Sequence, residues 1–212
     1  PSGAGQGQAQ DRARQMRTGI LGGTFNPPHL GHLHAAHLAK DALGLDKVLF
    51  IPTNIPPHKA LPEHTATAAD RCEMVRLLTA DAPWAQVDTI EVERGGASYT
   101  VDTLRALHAR GEDDLYLIVG TDMLLSFDRI WRAPDEIARL CTLAVCARED
   151  EDWSALERKA AVLRKKMGAR IELVRGESLT ISSTELRQGG ALRRYTAPAV
   201  ADYIEQNHLY GY

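Results

Sequence analysis

The stretch TGILGGTFNPPHLGHLHAAHLAKDALGLDKVLFI, residues 18–51, decides the fold. Residues 18–21 form a short apolar run, residues 30–43 carry the period of an amphipathic helix, and residues 47–51 are a second apolar run. The predicted unit is β-α-β. Beyond it the alternation continues, with helical patterns over 68–79, 101–110 and 153–167. Strand-like runs lie at 86–92, 115–119, 140–146 and 170–174, and short helices are expected after Ser183 and Pro198. Strands that alternate with helices imply an α/β fold, Rossmann-like, with an open, mainly parallel sheet covered by helices on both faces. In such sheets ligands bind beyond the carboxyl ends of the strands, so the loops after the strands are expected to carry the chemistry. No repeat or linker divides residues 16–212, which are expected to form a single domain. Residues 1–15, rich in Gly, Gln and Ala, read as a tail that runs into Met16.

Composition narrows the classes of function. The chain has 212 residues, 44% apolar and 25% charged, enough for one sizeable core. Its net charge of −3, from 25 basic and 28 acidic residues, lacks the broad basic field that sequence-independent nucleic-acid binding needs. No run approaches the roughly 20 apolar residues of a membrane span, and no secretory signal is visible, so a cytosolic location is expected. Three cysteines read as reduced, structural thiols, with Cys141 and Cys146 on opposite faces of a strand. A homo-oligomer is left open.

The loop after the first strand, Gly22 to His32, can be read position by position. Gly22 and Gly23 let the backbone approach a bulky ligand, while His29 and His32, three apart, share the first turn of the following helix. Helix N-terminal amides attract anions, and imidazoles donate hydrogen bonds to phosphate oxygens as charge is redistributed, so a local phosphate site fits both features. Neither the Walker nor the GxGxxG pattern is present. A zinc site among His29, His32, His34 and His37 lacks a thiolate or carboxylate at ligand spacing. Taken singly, the glycines could equally make a tight turn, and one histidine a helix cap.

Several blocks together resemble the HxGH-containing nucleotidyltransferases, and specifically the bacterial nicotinate-mononucleotide adenylyltransferases. Residues 22–32 resemble GGTFDPxHxGH, with Asn26 where the family usually has Asp. Residues 51–59, IPTNIPPHK, resemble the second-strand loop, and Ser98-Tyr99-Thr100 with Thr103-Leu104 resembles SYTxxTL. Gly120-Thr121-Asp122 followed by Trp131, residues 181–187 (ISSTELR) and the tail at 200–210 follow in the family's order. The HxGH block is shared with pantetheine-phosphate and cytidylyl transferases and many aminoacyl-tRNA synthetases; the other blocks narrow the match. A phosphopantetheine adenylyltransferase would not need the SYT helix start or the tryptophan. A regulatory module that had lost turnover would not need both histidines and Arg187.

The resemblance implies transfer of the adenylyl group of ATP to nicotinate mononucleotide, without nucleic-acid or membrane partners. Mg²⁺ is implied as an ion carried by ATP, with no protein side chain as ligand. His29, His32 and Arg187 are the expected catalytic residues. Gly22, Gly23, Thr24, Phe25, Gly120, Asp122, Ser183 and Thr184 are expected around ATP. Asn54, His58, Lys59, Tyr99, Thr100 and Trp131 are expected around the mononucleotide. Thr100 is expected to cap the helix over 101–110 and leave amides free for a carboxylate. Trp131, whose alternative reading is core packing, would stack on the pyridine ring.

Overall fold

The structure is a computed structural model that describes residues 15–148, 150–177, 181–189 and 191–212. All but one of the residues of the expected N-terminal tail lie outside them. Strand β1 (Arg17–Gly23) leads through the residue 24–29 loop to α1 (Leu30–Leu43) and β2 (Lys47–Pro52). Helix α2 (Ala68–Thr79), β3 (Ala85–Val87), α3 (Ile90–Arg94) and α4 (Thr100–Ala109) follow. Next come β4 (Asp114–Gly120), α5 (Thr121–Ile130), α6 (Pro134–Leu140) and β5 (Thr142–Ala147). Helix α7 (Trp153–Met167), β6 (Arg170–Arg175), α8 (Ser183–Arg187), α9 (Leu192–Tyr195) and α10 (Pro198–Gln206) complete the order, before a 3-10 turn at Leu209–Gly211.

The six strands form one sheet in the order β3-β2-β1-β4-β5-β6, and each neighbouring pair is parallel. The chain thus moves outward one way from β1 and then the other way from β4. At that reversal the crossover helices leave in opposite directions, which opens a crevice beyond the carboxyl ends of β1 and β4. Adjacent residues on each strand point to opposite faces, and the core divides accordingly. Ile20, Leu49, Leu117 and Leu143 pack in one cluster with Val101, Leu104 and Leu107 of α4 and Leu156 and Leu163 of α7. Their chain neighbours Leu21, Phe50, Ile118 and Ala144 pack on the other side with Ala36 and Ala39 of α1. Cys141 and Cys146 fall on these two sides, and both are free thiols. A third cluster joins Met74 and Leu78 of α2 to Val200, Ala201 and Ile204 of α10, which brings the chain's end beside the first loop.

Three sequence expectations are corrected. The strand expected over 86–92 stops at Val87, because the Asp88 carboxylate accepts the Ile90 amide at 3.0 Å and turns the chain into α3. Leu140 ends α6 rather than opening β5, and α5 and α6 fill the interval after β4, where no helix was expected. Thr100 is the first residue of α4 and not its cap. Tyr99 holds that place, with no side-chain capping bond.

Candidate active site

The loop between β1 and α1 turns sharply at Phe25, whose φ is 50°, and Asn26–Pro27 is a cis peptide. Four of its carbonyls are held by side chains from distant parts of the chain. Arg71 donates to the Thr24 carbonyl at 2.8 Å and Arg187 to that of Asn26 at 2.6 Å. Ser183 donates to the Pro27 carbonyl at 2.8 Å and Thr196 to that of Pro28 at 3.2 Å. The Asn26 side chain closes the frame, since its Oδ1 accepts from the Tyr210 hydroxyl at 2.6 Å and from the Ala66 amide at 3.2 Å. The loop is therefore rigid through contacts that no local pattern contains.

That frame fixes the two histidines. His29 is the N-cap of α1 and its Nδ1 accepts the Gly31 amide at 3.1 Å, while Nδ1 of His32 accepts the His29 amide at 3.1 Å. A backbone amide can only donate, so each Nδ1 must present its lone pair, and each neutral ring carries its proton on Nε2. The rings stack with centroids 3.8 Å apart, and Phe25 meets His32 edge-on at 4.9 Å. Burial pulls His29 down from 6.5 to about 4, only partly offset by Glu185. Burial, followed by the neighbouring His29, holds His32 well below its ordinary value. Two neutral Nε2–H donors are the result.

The depressed pKa values give acid sensitivity a definite sign. In the unfolded chain a histidine protonates near 6.5, whereas His29 in the fold does so near 4. Between those values the unfolded state binds more protons, so stability falls as pH is lowered, and it is fully present above the unfolded value. Between about pH 7 and about pH 5, Tm is expected to fall more steeply in the wild type than in His29→Asn, which keeps a capping acceptor. Parallel slopes in the two proteins would dismiss this account.

Gly31 has a steric reason of its own. A Cβ there would lie 2.9 Å from both Cε1 and Nδ1 of His29, so the ring would have to move. Gly31→Ala is expected to lower kcat about tenfold with little change in Tm, because the displaced ring no longer presents Nε2–H correctly. Steady-state rates and a melting curve check both halves. Gly22 differs: a Cβ there would approach protein no closer than 4.0 Å, and the residue is exposed toward the crevice. At Gly23, by contrast, a Cβ would meet the Phe25 ring, 3.3 Å from its nearest atom.

Two cavities meet at the histidines. The larger, about 760 Å³, is lined by Gly22, Gly23, Thr24, Phe25, His29, His32, His58 and Lys59. Tyr99, Thr100, Trp131, Ser183, Thr184 and Arg187 complete the predicted residues on its walls. The smaller, about 240 Å³, lies over the ends of β4 and β5 and is lined by Gly120, Cys146, Ala147, Gly176 and Leu38. Gly22, His29, His32, Ile118, Met123 and Ile181 line both. Among the predicted residues, Asn54 and Asp122 line neither. Asn54 ties two loops together: its backbone amide donates to the Ser98 hydroxyl oxygen at 2.9 Å, and its side-chain Nδ2 donates to the Gly96 carbonyl at 2.9 Å. Asp122 is exposed in the first turn of α5.

The remaining side chains divide between holding and lining. Ser183 holds the loop as described, and Arg187 donates also to the Thr184 hydroxyl at 3.1 Å. Trp131 packs one side against Phe127, with centroids 5.6 Å apart, and lines the cavity with the other. At the start of α4 the amides of Thr100 and Val101 have no protein acceptor among the described residues. Two supporting residues escaped the sequence reading. Arg71, 2% exposed, spends its guanidinium on carbonyls of Thr24, Thr53, Asn54 and Ala66. Its signal was present: Arg71, Met74, Val75 and Leu78 share one helical face, so the arginine occupies a core position. Glu91, buried beneath the larger cavity, accepts from the Thr103 hydroxyl at 2.8 Å, and burial raises its pKa.

The cytidylyltransferase-like family matches residues 20–189. A protein of Herpetosiphon aurantiacus named "Probable nicotinate-nucleotide adenylyltransferase" is 43% identical over 202 residues, covering 92% of this chain and 98% of its own. One of the same name from Synechococcus sp. (strain JA-3-3Ab) is 42% identical, covering 93% and 96%. The Plasmodium falciparum nicotinic acid mononucleotide adenylyltransferase complexed with NaAD has the same fold, with a TM-score of 0.73 at 16% identity over 92% of this chain and 97% of that one. The chain belongs to the cytidylyltransferase-like family, and within it to the nicotinate-nucleotide adenylyltransferases that the two relatives represent.

Proposed function

We propose that the protein transfers the adenylyl group of ATP to the phosphate of nicotinate mononucleotide, giving nicotinate adenine dinucleotide and pyrophosphate. The observation that carries this reading is the pair of neutral Nε2–H donors at the wall shared by the two cavities. A phosphate monoester is mostly dianionic at neutral pH, its second pKa being about 6, so it needs placement more than activation. Its oxygen forms a bond to the α-phosphorus, the bond from that phosphorus to the bridging oxygen breaks, and the electron pair leaves with pyrophosphate. His29 and His32 donate to phosphate oxygens that gain charge, and Arg187 with the start of α8 faces the departing phosphates. The smaller cavity suits the adenine end.

In this reading Mg²⁺ bound to the triphosphate would supply charge neutralisation on the leaving phosphates. Among the described residues, no group of three or more His, Cys, Asp or Glu is arranged to hold a metal. Phosphate oxygens are hard donors that suit such an ion. A cytosolic setting agrees with the three free thiols, two of them buried, and no helix among the described residues is long and apolar enough to cross a membrane.

Pyrophosphate release with nicotinate mononucleotide, nicotinamide mononucleotide or phosphopantetheine, each supplied with ATP and Mg²⁺, tests the reading. Only the pyridine nucleotides should support turnover, and the acid should be preferred about tenfold or more, because a carboxylate exploits the free amides at Thr100 and Val101 that an amide NH₂ opposes. Trp131→Ala should raise KM for both nucleotides while their ratio stays nearly constant. Equal kcat/KM for acid and amide in the wild type would sink the selectivity account, and turnover only with phosphopantetheine the whole assignment.

A further inference from the structure

Arg132 also lines the larger cavity, together with Tyr99, Thr100 and Trp131. It stands in the break between α5 and α6, just before Ala133, whose left-handed backbone (φ 52°, ψ 54°) turns the chain into Pro134. The Arg132 guanidinium carbon lies 4.4 Å from the centroid of the Tyr99 ring. Stacking on an aromatic face orients the guanidinium plane and uses none of its N–H donors. Among the described residues it has no hydrogen bond and no carboxylate partner. Neighbouring arginines are engaged: Arg105 with Asp102 at 2.9 Å and Glu136 at 2.6 Å, Arg110 with Asp88 at 2.8 Å, and Arg94 with the Thr103 hydroxyl at 3.2 Å. Glu91, the carboxylic residue on this cavity's wall, is buried and bonded to Thr103. The protein thus presents an oriented cation to the cavity and leaves its counter-charge to the ligand.

We propose that Arg132 is a specificity-determining residue that pairs with the carboxylate on the pyridine ring of the mononucleotide. This rests on the proposed reaction and adds a full charge to the partial charges of the α4 amides. A guanidinium offers two parallel N–H donors that match a carboxylate, whereas a carboxamide turns one NH₂ donor against them. The acid gains a charge-assisted pair and the amide does not.

Arg132→Met and Arg132→Lys test the assignment through kcat/KM for nicotinate and nicotinamide mononucleotide. Arg132→Met should lower the acid-over-amide ratio about tenfold or more, chiefly through KM for the acid, and Arg132→Lys should keep part of the ratio. Added salt should erode the ratio in the wild type and much less in Arg132→Met. Dissociation constants from quenching of tryptophan fluorescence give the same comparison where amide turnover is too slow to follow. An unchanged ratio overturns the proposal, whether both nucleotides lose equally, as a phosphate contact or a support of Tyr99 would cause, or neither loses. A wild type that makes no dinucleotide from either nucleotide would instead overturn the reaction itself.

Discussion

His32→Ala is expected to lower kcat by about 10²-fold or more, the effect of deleting a donor aimed at charge that develops in the transition state. Its stability cost should be small. The variant loses the ring nitrogen that accepts the His29 amide at 3.1 Å, and one half of a capping box at an otherwise intact helix start is worth about 0.5–1 kcal/mol. Because the His32 Nδ1 is committed to that amide, only Nε2–H can reach a ligand, so the loss should appear in kcat more than in KM. The two rings stack and share one frame, and His29→Ala combined with His32→Ala should therefore cost less than the product of the single losses. Steady-state kinetics with a melting curve decides this. Unchanged kcat in a folded His32→Ala protein would remove His32 from the mechanism.

Arg187→Ala is expected to weaken the use of ATP by roughly 30-fold, about 2 kcal/mol, the size of a lost charge-assisted contact to phosphate. The mononucleotide should suffer far less. Arg187 also holds the Asn26 carbonyl at 2.6 Å, so part of the loss is a loosened loop and not only a missing charge. Arg187→Lys separates the two, since it restores the charge but cannot reproduce the planar fork that spans Asn26 and Thr184. Recovery of KM for ATP in Arg187→Lys would assign the loss to charge. Equal losses for ATP and the mononucleotide would place Arg187 away from the triphosphate.

The sequence alone determined the framework, because the signals for it are local. Helix bounds at 30–43, 68–79 and 153–167 coincide with the observed α1, α2 and α7, each having an apolar period within the element and a capping residue immediately before it. Strands buried on both faces read as apolar runs, and their alternation with helices dictated a parallel sheet and a crevice at its carboxyl edge. The two histidines were legible for the same reason, since their spacing and the helix start lie within four residues.

Tertiary structure alone decided how the histidines are protonated and held. Their tautomer follows from backbone amides that donate to Nδ1, and their depressed pKa values from burial, neither of which a string of residues displays. Arg71, Thr196 and Tyr210 reach the first loop across 47, 168 and 184 positions of chain. Asn54 also braces two loops, through Ser98 and Gly96, which are 44 and 42 positions away and so leave no local signal. Arg132 likewise acquired its orientation from Tyr99, across a turn that its own neighbours in the chain do not announce. Periodicity records which face of an element is buried, and so it places the strands and helices. Which side chains converge at the sheet's edge depends on how those elements pack, and only the packed fold contains that information.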